Sequence, residues 1–365
     1  MKNIGLYLHI PFCKSKCPYC DFYSFSGKDT QKDDYTIVLK NRILSSISTL
    51  QRKADTLYIG GGTPSVLRAK NLATLVNACN SGFLTDDAEI TVECNPYGLD
   101  EDFFKTLHNC GVNRISMGLQ SAVDSERRIL GRLSDRNQVE NAVKTAQKVG
   151  FENITLDVML GVPEQTEKSL AETLDFCFSL GVPHISAYML KLEENTHFYK
   201  NRKKYNFPDD DLTADLYLQM CETLENNGTM QYEISNFAKQ GFESQHNLKY
   251  WHCEEYLGLG PSAHSFLNGK RFYYDRNFNA FMNGNSPIQD GYGGDFAEYA
   301  MLNLRLTDGL NENKVLERFG HHIPKDIYKN SKIFVDNGYM ISNENGLALT
   351  RKGFLLSNTI LSAIL

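Results

Sequence analysis

The chain has 365 residues, which is long enough for a full α/β barrel with an appended module. Hydrophobic residues make up 41% of it and charged residues 22%, which is typical of a globular protein. The net charge of −6 argues against nucleic-acid partners, because non-specific binding to phosphates needs a cationic face. Residues 1–7 carry neither a basic leader nor an apolar signal core, and no apolar run is long enough to cross a bilayer. We therefore expect a cytoplasmic protein with reduced thiols.

Strand and helix patterns alternate along the first half of the chain. Strands are predicted at 5–10, 56–59, 89–94, 114–117, 153–160 and 184–190, and helices at 33–51, 64–79, 101–110, 137–149 and 164–180. Successive strand-then-helix units predict a parallel sheet with right-handed crossovers. The Ile, Val, Leu and Tyr content of the strands predicts burial on both faces of that sheet.

The pattern changes after about residue 200. Residues 201–211 are polar and predict a linker or surface loop, a helix is predicted at 212–225, and an added strand at 230–236. From residue 296 the chain is mostly helical and ends in a short hairpin pattern and an apolar tail, which predicts a winged-helix-like module. We therefore divide the chain into a barrel at 1–200, an extension at 201–290 and a C-terminal helical domain at 291–365.

The loops that follow the predicted strands are polar or rich in glycine. The loop at 60–64 has three consecutive glycines before Thr63 and Pro64, Glu93 ends the third strand, and Gln120 follows the fourth. Parallel barrels carry their chemistry at the carboxyl ends of the strands. These loops therefore predict a functional site at that face, although a glycine run alone is equally typical of a tight turn.

Three of the nine cysteines, Cys13, Cys17 and Cys20, fall within eight residues with the spacing Cys-x3-Cys-x2-Cys. The other six are scattered, as small buried hydrophobic residues are. Structural zinc sites need four ligands, usually in two pairs, and no second pair follows. Three thiolates from a short loop suit a cubane iron–sulfur cluster with one open iron. The alternative is three buried or free cysteines in a loop.

The cysteine loop resembles the cluster-binding signature of the radical S-adenosylmethionine (SAM) superfamily. The resemblance implies an α/β fold with a partial (β/α)6 barrel of the TIM type, a [4Fe-4S] cluster and SAM as cofactors. In that superfamily the reduced cluster donates an electron to the sulfonium of SAM, which breaks into methionine and a 5′-deoxyadenosyl radical. The protein positions the cofactor and excludes water.

The resemblance also assigns cofactor contacts residue by residue. They fall on Tyr7, Tyr19, Gly61, Gly62, Thr63, Glu93, Gln120, Arg132, Asp157 and Lys191. The glycines and Thr63 match positions at the methionyl end, and Glu93 matches one that holds polar groups of the cofactor. Gln120 and Asp157 match ribose ligands, and Arg132 matches a carboxylate partner.

The remaining positions are less specific. Tyr7 and Tyr19 flank the cysteines, where they are expected to line the adenine and the cluster, and Lys191 matches a backbone contact only loosely. Arg132 has a competing interpretation, since Arg127 and Arg128 nearby are typical of an ordinary basic helix face.

Within the superfamily, the chain resembles the coproporphyrinogen III dehydrogenase-like group, and most closely the heme chaperones of that group. A fourth cysteine of the dehydrogenases is replaced by Phe22, and a long N-terminal extension is absent before Cys13. Residues 246–251 match the His-Asn-x-x-Tyr-Trp motif of the chaperones. The resemblance makes His246 a candidate heme ligand, and His264, in a glycine-rich turn, is a second candidate. The alternative for His246 is a structural histidine.

The resemblance therefore implies a heme-binding protein that delivers heme to apo-hemoproteins such as respiratory enzymes. An electron donor for the cluster is also expected, with contact at the membrane surface during delivery and a homodimer left open. Two other functions stay open from the sequence. One is an oxygen-independent coproporphyrinogen III oxidase that decarboxylates propionate side chains, and the other is a radical enzyme acting on another small molecule.

Overall fold

The computed structural model describes residues 2–365, and its first half is built from strands alternating with helices. The barrel strands are β1 (Ile4–Ile10), β2 (Ala54–Gly61), β3 (Leu84–Cys94), β4 (Arg114–Gln120), β5 (Asn153–Leu160) and β6 (His184–Met189). The helices that follow them are α1 (Asp29–Leu50), α2 (Ala69–Asn80), α3 (Glu101–Asn109), α4 (Asp124–Ile129), α5 (Arg136–Val149) and α6 (Glu167–Ser179). All six predicted strands are present.

Two helical segments differ from the sequence prediction. The helix expected at 64–79 is split into a 3-10 turn at Pro64–Leu67 and α2, with Arg68 between them at a φ of 69°. The short helix α4 was missed, because six residues are too few to reveal a helical period. By contrast, α5 begins and ends where capping rules place it, since Asp135 accepts a hydrogen bond from the Gln138 N–H and Gly150 adopts a left-handed φ of 114°.

The barrel strands form one continuous parallel sheet. β1 pairs with β2, and each later strand pairs with the next, from β3 to β6. The register sets Tyr7 beside Tyr58, and Glu93 beside Ser116. This fold is the partial (β/α)6 barrel that the sequence predicts.

The two faces of this sheet differ sharply. Alternate residues such as Leu6, Leu57 and Val92 are fully buried and apolar, and they belong to the main hydrophobic core. The intervening positions of each strand carry polar side chains. The expectation of burial on both faces is confirmed, since Thr91 and Thr155 on the polar face are also fully buried. The interior of this open barrel is nevertheless lined for polar contacts rather than filled by aliphatic side chains.

Residues 197–292 extend the sheet at both edges. They form α7 (His197–Lys200), α8 (Asp210–Asn226), β7 (Met230–Glu233), β8 (Asn236–Ala238), α9 (Gln245–Trp251), β9 (Tyr256–Leu259), β10 (His264–Leu267), β11 (Lys270–Tyr273), α10 (Phe278–Met282) and β12 (Ile288–Tyr292). The complete sheet has twelve strands in the order β12-β11-β10-β9-β1-β2-β3-β4-β5-β6-β8-β7. The single strand expected at 230–236 is instead an antiparallel hairpin of β7 and β8.

The C-terminal part is mostly helical with a small sheet, as the sequence predicts for a winged-helix-like module. It contains α11 (Phe296–Asn303), β13 (Leu310–Asn311), α12 (Glu312–Phe319), α13 (Lys325–Asp336), β14 (Met340–Asn343), β15 (Gly346–Leu349), α14 (Arg351–Leu355) and α15 (Ser357–Ile364). The three strands have the order β13-β15-β14. The division of the chain at residues 200 and 290 stays a prediction.

None of the helices within residues 2–365 combines the length and the apolar character that crossing a membrane requires.

Candidate cofactor site at the carboxyl ends of the barrel strands

A cavity of about 1000 Å³ lies where the loops after the barrel strands converge. Most of the predicted cluster and cofactor residues line it. They are Cys13, Cys17, Tyr19, Cys20, Gly61, Gly62, Thr63, Glu93, Gln120, Arg132, Asp157 and Lys191. The structure therefore brings together side chains from loops that are far apart in sequence.

The three cysteines of the loop after β1 are partly exposed on the cavity wall, and all three are free thiols. The Cys20 N–H donates to the Cys17 carbonyl at 3.2 Å, which closes a tight turn. The Cys13 Sγ lies 3.4 Å from the Thr63 Oγ1. No three His, Cys, Asp or Glu side chains in residues 2–365 stand close enough to share a single metal ion.

The glycine loop after β2 packs directly on the cysteine loop. The Gly62 N–H donates to the Ile10 carbonyl at 2.8 Å, and the Thr63 N–H donates to the Phe12 carbonyl at 2.7 Å. A Cβ atom at Gly62 would lie 2.6 Å from the Phe12 carbonyl oxygen, so the contact requires glycine. The two loops therefore form one wall, with the thiols next to the glycine backbone.

Two carboxylates, one on β3 and one on β5, line the same cavity. Glu93 accepts hydrogen bonds from the Tyr58 hydroxyl at 2.8 Å and from the Gly61 N–H at 3.1 Å. Asp157 accepts from the Ser116 hydroxyl at 3.2 Å. Burial raises the pKa of Glu93 to about 7 and that of Asp157 to about 6, since desolvation disfavours the charged form more than these hydrogen bonds favour it.

Arg132 reaches the same cavity from the segment after α4. Its Nη2 donates to the Gly118 carbonyl at 2.5 Å, and its buried Nε has no hydrogen-bond partner within residues 2–365. Arg127 does not belong to an exposed basic face, because it is buried and donates to the carbonyls of Leu119 and Ser121, whereas Arg128 is exposed. Arg127 fixes the loop, which leaves Arg132 free to face the cavity.

The remaining predicted contacts vary in accessibility. Gln120 ends β4 at a φ of 69°, a strained conformation that turns the chain at the cavity. Tyr19 packs on Phe198, and burial raises the pKa of its hydroxyl. The Lys191 side chain is 83% exposed and pairs with Glu193 at 2.7 Å. Tyr7 lies one layer below the cavity, where its hydroxyl is hydrogen-bonded to the His9 Nδ1 at 3.0 Å.

His246 lies away from the cavity, on α9 beneath the amino ends of β2 and β3. Only 1% of it is exposed. Its Nδ1 is hydrogen-bonded to the Thr56 hydroxyl and its Nε2 to the Tyr250 hydroxyl, both at 2.8 Å. Because both ring nitrogens are engaged and the ring is buried, this conformation does not offer His246 as a heme ligand. The structural alternative describes it better.

His264, the second candidate, is exposed at the start of β10. Its ring stacks on Tyr273, with the centroids 5.1 Å apart and an interplanar angle of 22°. β9 runs parallel to β1 and β10 antiparallel to β9, so β10 begins at the end of the sheet where the cavity lies.

Sequence reasoning missed several residues of the barrel interior. Tyr58, Ser116 and Arg114 contact or neighbour the two carboxylates, and Arg114 is only 2% exposed. Their signal was the alternation of polar with apolar residues along β2 and β4, which the apolar content of the strands concealed.

Comparison with known proteins agrees with this geometry. A model of the radical SAM superfamily matches residues 7–177, which include the cysteine loop, the glycine loop and β1 in part through β5. The heme chaperone HemW of Bacillus subtilis strain 168 is 34% identical over 376 residues, covering 98% of each chain. The chain belongs to the radical SAM superfamily, in the HemW group.

Two further comparisons, one with a HemW relative and one with a solved structure, extend this result. HemW of Escherichia coli K12 is 38% identical over 289 residues, which cover 77% of this chain and 76% of that protein. The fold is that of the coproporphyrinogen III oxidase HemN of Escherichia coli, with a TM-score of 0.86 at 22% identity, covering 99% of this chain and 90% of HemN.

Proposed function

We propose that this protein binds a [4Fe-4S] cluster and SAM in the cavity and binds heme for delivery to apo-hemoproteins. The observation that carries the proposal is the convergence of three accessible thiols, a glycine backbone, two carboxylates and an arginine in one cavity of about 1000 Å³. Membership of the radical SAM superfamily implies both the cluster and SAM.

The thiols of Cys13, Cys17 and Cys20 fit the cluster. Each thiolate of a cubane binds a different iron, so the sulfurs stand farther apart than the ligands of one ion. Their partial exposure on one wall of the cavity supports this assignment. When bound and reduced, the cluster supplies an electron to the sulfonium of SAM.

The cavity also fits the polar ends of SAM. The backbone at Gly61 and Gly62 carries no side chain, so the methionyl end of SAM can approach it closely, although the N–H groups there are already bonded within the protein. The unpaired Nε of Arg132 suits the SAM carboxylate. Glu93 suits its amine, while Asp157 and Gln120 suit the ribose hydroxyls. Tyr19 and the Lys191 backbone border the same space, and Tyr7 supports the wall from below.

Heme binding is proposed from the name that the HemW relatives carry. We assign the axial ligand to His264 rather than His246, because His264 is exposed. Partial desolvation lowers the pKa of the exposed His264 ring, which favours the neutral imidazole that coordinates iron. Arg276, which pairs with Asp21 of the cysteine loop at 3.7 Å, places a positive charge in the surroundings of His264 that suits a heme propionate.

This assignment implies two protein partners, an electron donor that reduces the cluster and an apo-hemoprotein that receives heme. A cytoplasmic location and delivery to respiratory enzymes stay expectations. A homodimer and contact with the membrane surface during delivery stay expectations as well.

The second candidate function is oxidation of coproporphyrinogen III. The cavity volume of about 1000 Å³ favours it, since this is at the upper end for ligand pockets and leaves room beyond one cofactor. Phe22, 66% exposed where the dehydrogenases have a fourth cysteine, disfavours it.

One anaerobic experiment separates the two functions. The cluster is reconstituted, and heme binding by absorbance and coproporphyrinogen conversion by product analysis are measured on the same preparation. We expect heme binding that survives gel filtration, and no conversion above that of a Cys13→Ala control. Conversion without heme binding would reverse the ranking.

A further inference from the structure

A ring-stacking contact joins the buried histidine of α9 to a side chain that lines the cofactor cavity. His246 stacks on Tyr58, with the ring centroids 5.3 Å apart and the planes inclined by 27°. The Tyr58 hydroxyl donates to Glu93 at 2.8 Å, and the other oxygen of Glu93 accepts from the Gly61 N–H at 3.1 Å. One side chain therefore separates His246 from the carboxylate at the cavity wall.

His246 is held rigidly enough to act as a support. Its two ring nitrogens are fixed by hydroxyls of β2 and α9, at Thr56 and Tyr250. The main-chain N–H of His246 donates to Glu89 at 3.0 Å. Gly5 of β1 packs so closely that a Cβ there would lie 3.2 Å from the His246 Cε1. Burial lowers the pKa of the ring to about 3, so it is a neutral hydrogen-bonding group.

The side chains of Tyr58 and Glu93, at the cavity end of these contacts, are packed equally tightly. A Cβ at Gly60 would lie 2.8 Å from the Tyr58 ring and 2.9 Å from the Glu93 carboxylate. Tyr58 also stacks on Tyr7, at 6.3 Å and 29°. Small displacements of the Tyr58 ring are therefore transmitted to Glu93 and to the glycine loop, because close-packed groups have few alternative positions.

We infer that His246 is a positioning residue for the cofactor site, which holds Tyr58 so that its hydroxyl aligns Glu93 with the Gly61 backbone. This inference rests on the proposed binding of SAM in the cavity. It gives the buried histidine of α9 a role in binding the sulfonium cofactor instead of heme.

The test uses the cluster-loaded full chain under anaerobic conditions, with wild type, His246→Ala, Tyr58→Phe and the double variant. SAM affinity is measured by calorimetry and heme binding by absorbance in parallel. We expect each single variant to weaken SAM binding on the order of tenfold, and the double variant to lose little more than either, because both changes break the same connection. The heme spectrum should not change in His246→Ala.

The outcomes distinguish this inference from the proposed function. Wild-type protein that binds neither SAM nor heme contradicts the proposed function itself. Wild-type binding with SAM affinity unchanged in His246→Ala, or with fully additive effects in the double variant, overturns the positioning role. Loss of the heme spectrum in His246→Ala with SAM affinity intact overturns it in favour of direct ligation.

Two further variants keep the test valid if His246→Ala folds poorly. His246→Gln retains a side chain that can donate and accept a hydrogen bond, and it should recover part of the SAM affinity. Tyr250→Phe removes one hydroxyl partner of the ring without creating a cavity. It should weaken SAM binding less than Tyr58→Phe does, while an equal or larger loss would contradict the proposed order of contacts from His246 through Tyr58 to Glu93.

Discussion

The same strands carry different kinds of residues and contacts at the two ends of the barrel. At the carboxyl end, loops rich in cysteine and glycine leave an open cavity of about 1000 Å³. At the amino end, α9 lies beneath the strands, and its buried His246 and Lys249 are bonded to Thr56 and Asp55 of β2. The carboxyl end is the open end and is lined for a ligand. At the amino end, hydrogen bonds from α9 to β2 hold the strands in place beside a second, polar cavity of about 730 Å³.

This difference shows that the residues of a family motif do not always contact a ligand. The cysteine and glycine motifs lie on the open end, where their atoms are accessible. The His-Asn-x-x-Tyr-Trp motif lies at the amino end, and its histidine is buried with both ring nitrogens engaged. Accessibility, which the sequence does not reveal, decides which of two equally recognisable motifs can contact a cofactor.

The largest expected effect concerns the open end. Replacing any one of Cys13, Cys17 and Cys20 by Ala should abolish the cluster, since each thiolate is the sole protein ligand of one iron. Iron and inorganic sulfide, measured after anaerobic reconstitution, should fall to background. Cys110→Ala is the matched control, because Cys110 is partly exposed but bonded to the Leu107 carbonyl elsewhere in the fold. A single loop variant with full iron content would contradict the site.

The cysteine loop shows what the sequence could predict. Thiol spacing, a glycine run and strand-end carboxylates are local signals, and the parallel sheet brings them to one edge without further information. The barrel strands were also predicted, because their apolar pattern is a local signal too. The contacts at the amino end could not be predicted, because Thr56 and His246 are 190 residues apart and only the folded structure brings them together.

The second prediction concerns heme. His264→Ala should weaken heme binding on the order of tenfold, about 1.4 kcal/mol, and shift the absorbance spectrum through loss of an axial imidazole. His321→Ala is the matched control, since His321 is also exposed and lies against an aromatic ring, Phe319, at 5.9 Å. Equal heme affinity in wild type and His264→Ala would leave the proposed ligand without support.

The third prediction compares two carboxylates on β3, one at each end of the barrel. Between pH 4.5 and 7 the unfolded chain releases the Glu93 proton while the folded state retains it, because the folded pKa is raised to about 7. Folding stability therefore falls as the pH rises through this range. Glu93→Gln should stabilise the apo-protein at pH 8 by about 1–3 kcal/mol, with no comparable gain at pH 4.5.

Glu89→Gln should have the opposite sign. Glu89 accepts hydrogen bonds from the Gln245 and His246 N–H groups, both at 3.0 Å, at the beginning of α9. Removing its charge should cost about 1–2 kcal/mol at pH 8, because an anion stabilises a helix N-terminus. Denaturant unfolding of the two variants without SAM measures both effects. A change in the free energy of unfolding that has the same sign in both variants would contradict this difference between the two ends.

The smallest expected effect is at Lys191, where only the backbone is expected to contact the cofactor. Its side chain is 83% exposed and forms a surface ion pair with Glu193, which contributes little in water. Lys191→Ala should therefore change SAM affinity less than about twofold, or about 0.4 kcal/mol. Lys191→Pro removes the N–H and restricts the backbone, so it should weaken SAM binding clearly more than Lys191→Ala. If alanine is as damaging as proline, the side chain makes the contact and must leave Glu193 when SAM binds.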